Sequence, residues 1–201
     1  EATAKRYLPA AKLSKLKSTT ASNPRCEYAR KLFLFSYYCY GISFIDMAML
    51  TAAHIKQMED GDYIFKAAKD QTAERGQTDF DQDHACDPEL IGSLQAASPT
   101  VDDFLLPIVT RSGYTGERLY MHIRTRYSKY QKYLRLLAEE LGIDFHLTSY
   151  VSRHTAAMTL QRNNIPREVI SQMLGHADLE TTNIYLDSFD NRVINEAAKV
   201  L

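Results

Sequence analysis

The sequence predicts a mostly helical domain with one small antiparallel sheet, an α+β arrangement. Two long apolar-patterned stretches, 27–40 and 117–141, read as helices, and three short helical segments follow them. Only Tyr63-Ile64-Phe65 reads as a strand, just after the turn Asp60-Gly61-Asp62. With 201 residues, 45% of them hydrophobic, the chain can build one substantial core.

In chain order, residues 1–24 read as a basic lead-in or linker ending at the breaker Ser22-Asn23-Pro24, and 25–201 as the domain proper. A helix runs from Glu27 toward Tyr40, where Gly41 stops it. Ser43 is placed to cap a short helix over 44–50, with Asp46 three residues on in the capping-box position. Residues 70–103 show little periodicity, and Gly76, Pro88 and Pro99 punctuate them. An apolar run, Leu105-Leu106-Pro107-Ile108-Val109, precedes the long helix, and Gly142 is its stop. That helix interleaves Arg118, Arg124, Arg126, Lys129, Lys132 and Arg135 with Tyr120, Tyr127, Tyr130 and Tyr133. Such a face suits a phosphate backbone. It equally suits an amphipathic helix with solvated charges and tyrosines at the core border.

Composition narrows the classes. The longest apolar run, 32–49, is broken by Ser36, Tyr40, Gly41, Ser43 and Asp46, so no membrane span is expected. The first residues lack the apolar segment of a secretory signal. Cys26, Cys39 and Cys86 make no even disulfide framework and fit a reducing, cytoplasmic setting. A net charge of −1 argues weakly against a nucleic-acid partner, but the charge is segregated. Residues 1–31 carry eight basic groups against two acids, and 59–103 carry twelve acids against three bases. A chain so divided can still present one basic face.

The most informative stretch is 147–187. Thr148 or Ser149 caps a first helix that turns Val151, Ala156 and Leu160 inward. Pro166 opens a second in its first turn, with Val169, Ile170, Met173 and Leu174 as its apolar face. Gly175 ends that helix and puts His176 at a sharp exit; Asp178 can cap a third helix carrying Ile184 and Tyr185. Singly, each polar residue has an ordinary structural role open to it: Arg153-His154 as a surface pair, His176 capping carbonyls, Tyr185 as half-buried packing.

Jointly they resemble the tyrosine recombinase, or phage-type integrase, family. The second-arginine box appears as Tyr150-Val151-Ser152-Arg153-His154, and the Leu-Gly-His box as Leu174-Gly175-His176. The nucleophile motif appears as Thr181-Thr182-Asn183-Ile184-Tyr185, nine residues after the histidine. Upstream, 28–36 and 41–48 are similar to integrases of Bacteroides-type mobile elements. The likeness is good over 27–50 and 104–201 and poor over 51–103.

The resemblance implies a tyrosine recombinase catalytic-domain fold and a site-specific DNA recombinase that cleaves and rejoins DNA through a 3′-phosphotyrosyl intermediate. Tyr185 is then the nucleophile. Arg153 binds nonbridging oxygens of the pentacoordinate transition state, and His176 donates a hydrogen bond or assists proton transfer. Lys69 is the candidate to protonate the leaving 5′-oxygen, with Lys66 second. Neither metal nor cofactor is implied. The implied partner is double-stranded DNA, bound by a homo-tetramer on paired sites in a bacterial, nucleoid-associated setting. The apolar face of the last helix, Val193, Ile194, Ala197 and Val200, would dock on a neighbouring protomer. The family's upstream DNA-clamp domain has no counterpart in 1–24.

Two positions depart from the family pattern. Tyr40 stands where the first active-site arginine precedes the glycine, and Tyr150 where a histidine is usual. Losing a guanidinium from a phosphoryl site costs roughly 2.7–4 kcal/mol on the scale of oxyanion-donor losses. The sequence therefore predicts that Arg30 or Lys31 substitutes, or that Tyr40→Arg restores activity, or that the chain is a DNA-binding relic. A third class, a metalloprotein built on His84-Ala85-Cys86-Asp87, has no strong zinc spacing behind it.

Overall fold

The computed structural model of the chain describes residues 7–57, 63–65, 85–86 and 88–174. Among them are seven α-helices: α1 (Ala10–Ser18), α2 (Pro24–Tyr38), α3 (Phe44–Met49), α4 (Pro88–Ala97), α5 (Gly116–Leu141), α6 (Ser149–Arg162) and α7 (Arg167–Met173). Three short strands, β1 (Ile55–Gln57), β2 (Tyr63–Phe65) and β3 (Ala85–Cys86), lie between α3 and α4. They pair antiparallel in the order β1-β2-β3, with Ile55 opposite Phe65 and Tyr63 opposite Cys86.

Helix α2 is the hub. Its first turn is set by Pro24 and by Asn23, whose side chain accepts from the Arg25 amide. The breaker at 22–24 is thus the helix start, three residues ahead of the expected Glu27. Nine of its 15 residues are buried, so it carries no single apolar stripe and must be covered on several sides. α4, α5 and α6 supply that cover. Ser43 caps α3 as expected, accepting from the Asp46 amide while its hydroxyl donates to the Asp46 carboxylate at 2.6 Å. Gly142 ends α5 in the left-handed region (φ 62°), and the Ile143 amide reaches back to the Ala138 carbonyl at 2.8 Å.

Several elements differ from the sequence expectation. The lead-in contains α1, whose Leu13 and Leu16 join the main core together with Leu8 and Ala21. Lys12 and Lys15 donate to the carbonyls of Gly142 and Leu141, so this segment also neutralises the negative end of α5. α4 forms in a stretch that reads as irregular, because its buried face is only Ile91 and Leu94. Pro166 takes the N-cap position of α7 rather than its first turn, and Val169 is 42% exposed while Ile170 is fully buried. Leu105, Leu106, Pro107, Ile108 and Val109 are all buried. The Leu105 amide bonds to the Leu50 carbonyl at 2.7 Å, and Thr51 and Phe104 form an isolated bridge beside it.

Candidate active site

Arg153 sits one turn into α6, and the seat of α6 on α2 fixes where it stands. Ser152 and Ser36, both almost fully buried, share a 2.7 Å hydrogen bond between hydroxyls at that interface. The Thr155 hydroxyl accepts from the Leu8 amide at 3.0 Å and donates to the Val151 carbonyl at 2.6 Å. Small hydroxyl residues let the two helices approach closely while leaving no polar atom unsatisfied. Past the end of α2, the Gly41 amide returns to the Ser36 carbonyl at 2.6 Å with Gly41 at φ 80°. A Cβ on Gly41 would stand 2.4 Å from both Cα and Cβ of Arg153. Only glycine fits there, and the turn lies directly on the arginine.

The Arg153 guanidinium is held by two carbonyls. One terminal nitrogen donates to Gly41 at 3.3 Å and the other to Leu174. The second bond joins two boxes 21 residues apart, since Leu174 opens the Leu-Gly-His box. Burial lowers the Arg153 pKa, opposed by the electrostatic pull of Tyr150 and Asp46. A guanidinium stays charged under such conditions, so Arg153 is a half-buried cation.

This cation faces a cleft of about 610 Å³. One wall is the turn 41–45, the second is the start of α6 with Ser149, Tyr150 and Arg153, and the third is the α5 face Tyr120, Ile123, Arg124 and Tyr127. Ile45, Tyr120 and Tyr150 stand more than half exposed around it, at 55%, 57% and 53%. Arg124 and Arg153 are the basic residues among its described lining. Tyr150, in the place of the family's usual histidine, packs edge-on against His154, with ring centroids 5.1 Å apart.

Tyr40 does not line this cleft. Its backbone is left-handed at φ 52°, which turns its side chain onto the small cluster formed by Ala157, Met158, Ile170 and Leu174. Burial there raises its phenol pKa, and nearby Cys39 adds to the shift. Neither expected substitute reaches the cleft. Arg30 is buried, paired with both oxygens of Glu27 at 2.7 and 2.8 Å, and bonded to the Leu16 carbonyl at 2.8 Å. Lys31 reaches the Ser93 carbonyl at 3.5 Å.

Phe44 divides this cleft from a second of about 500 Å³, lined by Arg25, Tyr28, Arg126, Lys129, Tyr130 and Tyr133 among others. Phe44 stacks on Tyr130 with centroids 5.0 Å apart. Arg25 donates to the Tyr133 hydroxyl at 2.9 Å, and Tyr28 donates to the Pro107 carbonyl at 2.9 Å. Burial pushes Tyr28 up to about 12 against the opposing influence of Arg126. The Tyr130 hydroxyl is buried with no hydrogen-bond partner among the described residues. Of the interleaved residues of α5, Tyr120, Arg124 and Tyr127 line the first cleft and Arg126, Lys129, Tyr130 and Tyr133 the second, with Tyr130 buried rather than at the core border.

Of the sequence-predicted site residues, Arg153 is described; Lys66, Lys69, His176 and Tyr185 lie outside the described residues, as do the last helix and the side chains of 84–87. Among the described residues no group of three His, Cys, Asp or Glu could hold a metal ion, and no helix is long and apolar enough to cross a membrane. Sequence reasoning placed Arg124 on a charged helix but not in the site. The signal was its spacing from Tyr120, Ile123 and Tyr127, which puts all four on one face.

Residues 61–192 match the phage integrase family, a span that contains Lys66, Lys69, Arg153, His176 and Tyr185. The chain belongs to that family. It is 43% identical over 54 residues to the tyrosine recombinase XerD of Halalkalibacterium halodurans, covering 27% of this chain and 18% of that protein. It is 29% identical over 104 residues to XerD of Brucella abortus, covering 50% and 30%. The chain thus spans less than a third of these relatives' length. The fold is that of the XerA recombinase crystal structure (TM-score 0.62, 21% identity, 99% of this chain and 65% of that one). It likewise matches XerH bound to its difH substrate before cleavage (TM-score 0.63, 19% identity, 96% and 53%). In this integrase-family chain the architecture is mostly helical, and α2 and α6 seat Arg153.

Proposed function

We propose that residues 25–201 form the catalytic domain of a site-specific tyrosine recombinase acting on double-stranded DNA. The observation that carries the reading is the bond from Arg153 to the Leu174 carbonyl, two residues before His176. It ties the arginine box to the first residue of the Leu-Gly-His box, which supports the two boxes serving one site. In the reaction, the Tyr185 hydroxyl attacks phosphorus, forming the P–O(tyrosyl) bond as the P–O5′ bond breaks. Its proton passes to His176 or to solvent, and the departing 5′-oxygen takes a proton from Lys69, with Lys66 the alternative. The phosphodiester bond energy is conserved in the 3′-phosphotyrosyl link, so a second 5′-hydroxyl can reverse the step. Arg153 holds the charge that gathers on nonbridging oxygens, and His176 adds a hydrogen-bond donor.

The small sheet fits this scheme as the hairpin that carries the lysine, since β2 ends one residue before Lys66. The second cleft fits the DNA backbone: Arg25, Arg126 and Lys129 beside tyrosines suit phosphates held in the ground state. Assembly as a tetramer on paired sites completes the reading, with the last helix docking between protomers.

The test is covalent trapping on a nicked suicide substrate, whose cleaved fragment diffuses away and leaves the protein attached. The parent should form an adduct, and Tyr185→Phe should bind DNA equally well and form none. A second reading, a DNA-binding relic, is favoured by the side chain of Tyr40 lying outside the cleft. A parent that binds DNA and forms no adduct would establish it.

A further inference from the structure

We infer that Arg124 supplies the second guanidinium at the scissile phosphate, in place of the side chain at position 40; this rests on the recombinase reading above. A phosphoryl transition state with two charged nonbridging oxygens is served far better by two fixed cations than by one. Position 40 cannot provide the second, because its left-handed backbone directs the side chain to the α6–α7 cluster. Arg30 and Lys31 are spent on Glu27 and on backbone carbonyls. Arg124 remains: it lines the same cleft as Arg153, is exposed, and has no hydrogen bond or ion pair from its side chain among the described residues.

Its placement relative to Arg153 is built rather than incidental. The Tyr127 hydroxyl meets the Ser149 hydroxyl at 3.1 Å, and Gln131 donates to that same Tyr127 oxygen at 2.6 Å. This bond staples the middle of α5 to the start of α6. Arg124 lies three residues before Tyr127, and Arg153 four residues after Ser149, so each cation is one turn from the staple. Ile123, 5% exposed, roots that turn of α5 in the core, and Phe44 packs on Tyr127 at 5.3 Å from the other side. The two guanidiniums therefore face one cleft from two walls whose spacing is fixed.

A cation that only gathers DNA would act on affinity; a cation at the scissile phosphate acts on the rate once DNA is saturating. Cleavage should therefore be measured at saturating protein on the suicide substrate, for the parent, Arg124→Ala and Arg124→Lys. The same series should be run on a substrate whose scissile phosphate is a methylphosphonate, which lacks one negative charge. Arg124→Ala should lower the saturated rate on the phosphate by on the order of a hundredfold. Arg124→Lys should recover part of that loss, and on the methylphosphonate the difference between parent and Arg124→Ala should shrink to within roughly threefold if one charge no longer needs its partner. An unchanged saturated rate for Arg124→Ala, or an equal loss on both substrates, overturns this assignment and leaves the recombinase reading standing. A parent that forms no adduct on the phosphate substrate overturns the recombinase reading and the assignment with it.

Discussion

The two clefts on either side of Phe44 use the same residue types to opposite effect. The second holds three cations beside three tyrosines, and several of these groups already have partners: Arg25 on Tyr133, Tyr28 on the Pro107 carbonyl. The first holds only two, Arg124 and Arg153, against a largely aromatic and aliphatic wall. Cation number alone would point to the second as the reactive site. What distinguishes the first is rigidity, because Arg153 is fixed through Gly41, Ser152 and Leu174. A few firmly positioned charges stabilise a transition state more than a larger number of loosely held ones. On the reading proposed above, the cations of the second cleft hold the substrate.

The sharpest way to break that contrast is at Gly41. Gly41→Ala adds a Cβ into the backbone of Arg153 and strains a φ of 80°. Overpacking and left-handed strain together should cost roughly 2–6 kcal/mol in denaturant unfolding. Gly142→Ala, at φ 62° with nothing within 4 Å of the added carbon, is the control and should cost about 1–2 kcal/mol. Equal costs at the two positions would mean the turn is not seated on α6 as described.

A middle-sized effect is expected at Tyr40. Tyr40→Arg puts a guanidinium against Ala157, Met158, Ile170 and Leu174. It should lower stability by roughly 1–3 kcal/mol, the cost of a poorly paired polar group, with no gain in cleavage. The sequence pattern alone predicts the reverse, restored activity. A rise in adduct yield would show that the side chain can swing into the cleft.

The smallest expected effect belongs to the second cleft. Arg126→Ala and Lys129→Ala should each weaken DNA binding and make it less sensitive to salt, the slope falling by about one for each phosphate left without its cation. The saturated cleavage rate should hold. A slower rate at saturation would move chemistry into the second cleft and erase the contrast.

How much of this was legible in the sequence differs by element. Ser43 and Gly142 work through local backbone chemistry, so their positions alone announced the start of α3 and the end of α5, whereas the breaker at 22–24 read as the end of the lead-in and proved to be the start of α2. The Arg153 box was legible only jointly with the Leu-Gly-His and tyrosine motifs, through their resemblance to the family, since Arg153-His154 alone reads as a surface pair. α4 was not, since a buried face of two residues falls below any helical periodicity. Nor was the direction of Tyr40, which depends on a positive φ in a residue that is not glycine. The burial of Arg30 depends on the Leu16 carbonyl, 14 residues away, and a sequence does not display such a tertiary bond. Arg124 became a site residue only when α5 and α6 were seen to close on one cleft.

The most direct measurement is to trap the parent on the suicide substrate, digest the adduct and identify the nucleotide-linked residue by mass spectrometry. The account predicts a single modified tyrosine, Tyr185, joined to the 3′-phosphate. Linkage to Tyr150, which stands exposed at the same cleft, or an absence of any linked residue from a DNA-bound parent, would contradict it.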